Sequence, residues 1–392
     1  MNNKLPEGWK IDKFENLVSF TRGSEPGSSS YTDDNSYTRF LRVSDISGTG
    51  KEKIYTTAEN LKLVNKGDLL ITLDGTPGII SDEFEGAISS GIRKIDIVSK
   101  NLLQDYLKFY LRSENVQRII YKYATGATIL HASKSIQYIN VVLPPIDIQK
   151  CIINIMKRAE SALNKRKQVI SLLDELVKSQ FIEMFGDPSS NPKGWEVKLF
   201  NDVFDISSSS RILKSEWKTE GTIPFYRVRD MVCLSENGVA SNEFFVSEEF
   251  YESLSNEKGT PQYGDIMVSA TSTIGKCYIV KPGEKFYYKD ADVLRFRKKV
   301  ELSAEYFVHF MKTQFAINQI KRTFGITTVP HFTIVNSKKI NLIYPPIELQ
   351  NQFADFVKQV DKLKFEMEES LKELENNFNS LMKDAFSGNL SL

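Results

Sequence analysis

The sequence predicts an α+β chain: two similar domains, each followed by a long helix, with the two helices pairing as an antiparallel coiled coil of pseudo-two-fold design. Three observations predict it. "LPPIDIQKCI" at 143–152 is said again as "YPPIELQNQF" at 344–353, and Pro144, Pro145, Ile146 and Gln149 return 201 positions later. The blocks before each proline pair also repeat, in the same order. The segment after each pair lacks internal Pro and Gly, and its apolar residues step by four and three, a heptad seam.

Taken in order, "LPEGWKIDKF" at 5–14 matches "NPKGWEVKLF" at 191–200, an offset of 186. "RVSDI" at 42–46 matches "RVRDM" at 227–231. "KGDLLITLDGTPG" at 66–78 matches "YGDIMVSATSTIG" at 263–275, and "GATILHASKSI" at 126–136 matches "GITTVPHFTIVNSKKI" at 325–340. The drifting offset places insertions in loops between the blocks. Two copies are too few for a solenoid, so each is a globular domain. "DLLIT" and "DIMVSA" read as short strands after Gly-Asp turns. Residues 102–124 and 303–324 carry apolar side chains at helical spacing and stop at Gly126 and Gly325. "INVVLPP" and "INLIYPP" read as strands ended by prolines. The domains are therefore expected at 1–145 and 191–345, and the helices at 146–190 and 346–392.

In the first helix the expected seam is Ile148, Ile152, Ile155, Ala159, Ala162, Val169, Leu173 and Leu176. In the second it is Leu349, Phe353, Phe356, Val360, Leu363, Ser370, Leu374 and Asn377. At about 39 residues each helix is roughly 58 Å long, too long to bury its stripe on one small domain. Segment 147–185 has a net charge of +2 and segment 347–386 has −4, which favours their pairing.

The chain has 392 residues, 41% hydrophobic and 26% charged, with a net charge of +1. That is the make-up of a soluble globular protein, and the total charge predicts no partner. No run of about 18 apolar residues is present, so no membrane association is expected. "MNNKLPEGWK" has no apolar signal-peptide region. Cys151, Cys233 and Cys277 are odd in number and far apart, which fits a reducing, cytoplasmic setting.

Motifs that resemble enzyme signatures each lack an essential group. "YPPI" and "LPPI" resemble the adenine methyltransferase motif, but Tyr344 or Leu143 stands where Asn or Asp would hold the adenine amino group. "SGTGK" at 47–51 has no apolar strand before it. "ATSTIGKC" at 270–277 resembles a P-loop with Ala270 for the first glycine and Cys277 for the magnesium-binding hydroxyl. "GDPSSNPKGWEVK" at 186–198 has a nuclease-like Glu196-x-Lys198, but "LPEGWKIDK" has no equivalent, so 195–199 reads as a strand. The histidines lack metal-ligand spacing. His131 and His331 hold equivalent positions, either as loop residues facing a ligand or as satisfied structural histidines.

The doubled Pro-Pro-Ile-x-x-Gln strings, Gly-Trp openings, Gly-Asp strands and helix ends "MFGDP" and "AFSGNL" resemble the DNA-specificity subunit of type I restriction–modification systems. The resemblance covers the whole chain. It implies two target-recognition domains, each reading half of a split, asymmetric site in double-stranded DNA. The helices would act as a spacer and offer faces to two methyltransferase subunits, with restriction/translocase subunits completing a phage-defence complex. The chain itself would be non-catalytic, with S-adenosylmethionine and ATP on the partners and no cofactor or metal here. Loop residues are the expected DNA contacts. In the first domain these are Arg22, Arg39, Arg42, Thr72, Thr76, Thr128 and His131. In the second they are Arg211, Arg227, Arg229, Ser269, Thr271, Thr273, Thr327 and His331. Asp45, Asp68, Asp230 and Asp265 are expected to cap turns. The rival reading is a coiled-coil scaffold protein without DNA specificity.

Overall fold

The structure, a computed structural model, describes residues 5–241, 243–257, 259–324 and 330–390. The chain divides into two compact units, residues 1–168 with 368–392 and residues 169–367. The division falls inside both long helices, Ile146–Phe185 and Ile347–Ser387, so each unit holds one domain and about half of each helix. The expected boundaries at 145 and 345 mark where the helices begin, not where compact units end.

In the first unit a four-stranded antiparallel sheet is built around Ile92–Ile97, which pairs with Val18–Arg22 on one side and Leu69–Thr72 on the other. A second, five-stranded sheet includes Thr38–Leu41, parallel to Gly86–Ile88. Strand Lys10–Lys13 pairs with Asn140–Leu143, the strand before the proline pair. Leu69, Leu70, Ile71 and Thr72 are all buried, as a strand covered on both faces requires. The segment expected as one helix over 102–124 is two, Gln104–Arg112 and Glu114–Lys122. Ser113 takes extended geometry between them and donates its hydroxyl to the Tyr110 carbonyl at 2.6 Å. Such back-bonding competes with the helix ladder.

The second unit repeats the plan. Val293–Lys298 pairs with Phe204–Ser207 and with Ile266–Ser269, and Glu196–Leu199 pairs with Asn341–Tyr344. The nuclease-like Glu196-x-Lys198 is thus part of a strand, with the Lys198 ammonium 3.8 Å over the Tyr344 ring. The 303–324 stretch again divides, into Ala304–Met311 and Gln314–Arg322. Thr313 breaks it, donating to the Phe310 carbonyl and accepting from Ala316 N. This is the N-cap chemistry that Ser and Thr favour.

Glutamine explains the doubled string. Gln149 is fully buried, accepts from Leu103 N at 2.9 Å and donates to the carbonyls of Asn101 and Pro144. Gln350 likewise accepts from Ser303 N at 3.0 Å and donates to the Pro345 carbonyl. Each side chain ties the start of a long helix to the start of the domain helix beside it. Tyr106 and Tyr306 add the same clasp, donating to the carbonyls of Val142 and Ile343 at 2.7 Å.

The helix segments run antiparallel within each unit. In the first, Met382, Ala385 and Phe386 enter a core with Tyr106, Tyr110, Ile152 and Met156, and Lys167 meets Glu375 at 3.0 Å. In the second, Val177, Phe181 and Phe185 pack with Tyr306, Phe353 and Val357, and Lys364 meets Asp174 at 2.7 Å. The buried seam differs from the expected one at alternate positions. Met156, Leu163 and Val177 are buried where Ile155, Ala162 and Leu176 were expected. Val357 is buried in place of Phe356, while Leu363 and Asn377 are exposed. Where adjacent positions are both apolar, heptad spacing leaves two registers open. Among the described residues, no helix is long and apolar enough to cross a membrane.

Candidate nucleic-acid interface

In the first unit, three chain segments converge where the strand Val18–Arg22 ends. Gly23 passes so close to the Ile88 and Ser89 carbonyls that an added Cβ would lie 2.3 and 2.1 Å from their oxygens, so only glycine fits. Val43 packs on Gly75 and Gly91, which brings the "RVSD" block to the "TLDGTPG" loop. His131 reaches the same loop through Asp74, its Nδ1 2.8 Å from Oδ1. Arg22, Thr76, Thr128 and His131 are exposed around this convergence.

Thr72 is fully buried, and it shapes the loop rather than lining its surface. Its hydroxyl donates to the Thr76 carbonyl at 2.6 Å and accepts from Ile79 N at 3.0 Å. Ser269 does the same in the second unit, donating to the Thr273 carbonyl and accepting from Lys276 N. Arg39 donates to Asp45 Oδ1 at 2.6 Å and to the carbonyls of Phe40 and Ile54. Arg42 bonds Asp45 and the Glu52 carbonyl but keeps a third of its side chain exposed.

The second unit gathers matching segments. Ser208 at the strand end accepts from Ala291 N at 2.9 Å, His331 Nε2 donates to the Ala291 carbonyl at 2.7 Å, and Thr271 meets Asp292 at 3.4 Å. Arg211 and Thr273 are exposed. Arg227 and Arg229 both bond Glu243, whose carboxyl they hold below the usual range. Thr327 lies outside the described residues. Asp45, Asp68, Asp230 and Asp265 accept from the backbone N–H of Arg42, Asn65, Arg227 and Gln262, the turn capping expected of them.

Sequence reasoning missed residues that build this surface. Arg93, one residue inside its strand, is buried beside Asp74 and Arg22, and burial with Arg22 nearby lowers its pKa. The two surfaces also differ in their side chains. Gln117 donates to the Gly78 carbonyl in the first unit. Ile317, its counterpart in the second, helps line a pocket of about 220 Å³ with Gly275, Met311, Ile320 and Phe324.

The type I restriction modification DNA specificity domain matches twice, at residues 6–171 and 192–376, one copy over each repeat. The chain belongs to the type I restriction–modification DNA specificity family. The type I restriction enzyme MjaVIII specificity subunit of Methanocaldococcus jannaschii is 22% identical, covering 92% of this chain and 88% of its own. A putative type I specificity subunit of Haemophilus influenzae, S.HindORF215P, is 24% identical over 94% and 92%. The S subunit of the M. genitalium type I system shares the fold, with TM-score 0.54 at 15% identity over 98% and 97% of the two chains. A chain from a structure of type I R-M complex assembly and conformational transition gives TM-score 0.60 at 18% identity, covering 99% and 100%. As a specificity subunit with two recognition domains, the chain is set apart from the general coiled-coil scaffold.

Proposed function

We propose that each recognition domain reads one half of a split, asymmetric site in double-stranded DNA and that the chain positions methyltransferase subunits there for adenine methylation. The observation that carries this reading is the paired convergence. In both units, the end of the first sheet strand, the loop clasped by Thr72 or Ser269, and the histidine loop meet and leave Arg and Thr side chains exposed, with His131 exposed in the first unit and His331 half-buried in the second. That mix suits phosphate positioning and base contact. The two surfaces use different side chains at matching places, Asp74 against Thr271 and Gln117 against Ile317, so their half-sites differ.

Val169, Leu172, Leu176 and Leu363 are exposed on the helix segments of the second unit. Antiparallel heptad geometry puts them along one side of the pair. Exposed apolar side chains gathered on one side suit a protein partner, which supports methyltransferase docking on these helices. The chain is non-catalytic in this reading. S-adenosylmethionine and ATP bind the methyltransferase and translocase partners.

Methylation mapping tests the proposal. Cells expressing the chain with its methyltransferase partners are expected to carry one split, asymmetric methylated motif, lost on deletion of this gene. An unchanged methylome would overturn it.

A further inference from the structure

We propose that His131 reads the exocyclic amino group of a base, adenine N6 or cytosine N4, through its Nε2 atom in the major groove. Asp74 and Arg93 are positioning residues that fix the ring for that contact. The inference rests on the DNA-recognition reading above and names the chemistry of one contact within it.

Asp74 and His131 face one another in a short antiparallel ladder, Leu130 to Gly75 and His131 to Asp74. An ionised carboxylate only accepts, so Asp74 Oδ1, 2.8 Å from Nδ1, places the ring proton on Nδ1. In the uncharged imidazole Nε2 is then the acceptor. The carboxylate is itself held. Its Oδ2 lies 3.8 Å from Arg93 Nη2, and Arg93 is anchored by the carbonyls of Ser90 and Ile92 and by Ser133 Oγ at 3.3 Å. A buried arginine thus backs an aspartate that orients a histidine whose side chain is 59% exposed. Arg22, directly across the strand pair from Arg93, is exposed at the same edge for a phosphate.

A lone pair restricts the partner. Phosphate oxygens have no hydrogen to give. On major-groove base edges the donors are adenine N6 and cytosine N4. The second unit sharpens the point. His331, 200 positions later, bonds through Nε2 to the Ala291 carbonyl, and Thr271 stands where Asp74 does. The two rings are therefore held by opposite nitrogens, Nδ1 in the first unit and Nε2 in the second, and are anchored to different partners.

The test uses the full chain with its cognate methyltransferase subunits. The wild-type methylome supplies the motif, and duplex binding is then measured for every single base-pair change in it. His131→Ala is expected to lose discrimination at one position of one half-site and keep the other half-site intact. At that position, purine in place of adenine, or 2-pyrimidinone in place of cytosine, removes the amino group. This is expected to weaken the wild type by roughly fivefold to tenfold and leave His131→Ala unaffected. Asp74→Ala is expected to relax the same position. A variant that discriminates like the wild type, even with weaker overall binding, overturns the proposal. So does an amino-group deletion that weakens variant and wild type equally. A wild-type methylome without a split motif would instead overturn the recognition reading itself.

Discussion

Arg22 and Arg39 are both arginines of the first recognition domain, yet their surroundings give them opposite expected effects. Arg39 keeps 19% of its side chain exposed and pairs with Asp45, which keeps 7%. Arg39→Ala takes the guanidinium away from Asp45 Oδ1 and from two carbonyls, while Arg42 still holds Oδ2, with an expected loss of about 1–3 kcal/mol in denaturant unfolding. Arg22 is exposed, with a single long bond of 3.4 Å to the Ser90 carbonyl, so its removal should change stability little. Neutralising Arg22 and Arg211 together is expected to flatten the salt dependence of DNA binding by about one log–log unit per lost phosphate contact. An unchanged slope would show that these loops do not face the backbone. The sequence placed both arginines in loops rich in small polar residues but could not separate them, because whether an arginine is engaged depends on which carboxylate folds against it. His309 gives a pH prediction at the same scale. Burial, with Lys312 nearby, pushes its pKa down to about 3, and its ring packs edge-on against Phe353 at 5.3 Å. The unfolded chain takes up the proton near the ordinary value, about 6.5. Stability is therefore full above that pH and falls as pH drops toward 3, because protons favour the unfolded state. The first unit has Phe109 at the matching place. His309→Phe is expected to raise the thermal midpoint at pH 5 relative to wild type and change it little at pH 8. Equal shifts at both pH values would remove titration as the cause.

The elements show why the doubled string was legible while its cause was not. Pro-Pro-Ile-x-x-Gln read as a handover from strand to helix, and strands Asn140–Leu143 and Asn341–Tyr344 do run into the long helices. The glutamine is fully buried in both copies because its amide meets backbone groups about 47 residues away in sequence. Single-sequence spacing carries no trace of such a contact. Gln149→Leu and Gln350→Leu are each expected to cost about 2–4 kcal/mol, since each leaves a helix-start N–H and a proline carbonyl buried without a partner. Urea unfolding checks this, and a loss below about 1 kcal/mol would show that water replaces the amide. The seam was misread by one residue at alternate positions for a different reason. Ile155 and Met156, or Phe356 and Val357, are equally apolar neighbours, and only packing chooses between them. Ser113 and Thr313 were hidden in helical stretches because their neighbours keep the apolar period through the break.

At the scale of the molecule, each unit completes its core with a helix segment from the far end of the other repeat's sequence. The first unit needs Met382, Ala385 and Phe386 beside Tyr106 and Met156. Its C-terminal Gly388 lies against Pro6, where an added Cβ would come 2.6 Å from the proline ring. A fragment of residues 1–190 lacks all four. It does carry Phe181 and Phe185, which hold the repeat-equivalent places of Met382 and Phe386 and pack in the second unit against Tyr306 and Phe353. In the isolated fragment they have neither partner, and folding back on their own helix is impossible for a continuous helix. A second copy supplies both needs: the Phe181 and Phe185 segment of one copy fills the Met382 and Phe386 gap of the other, reciprocally, in a two-fold dimer. The helix charge of +2 opposes this only mildly, since exposed pairs contribute under about 1 kcal/mol each. The fragment is therefore expected to dimerise and, with methyltransferase subunits, to direct methylation to a palindrome of the first half-site. Fragment 191–392 is expected to pair less well on account of its −4 helix and the half-buried Ser370, whereas Asn377 is exposed and Phe378 packs on the core in its stead. A fragment 1–190 that sediments as a folded monomer at tens of micromolar would defeat this account, as would a dimer that methylates an asymmetric site.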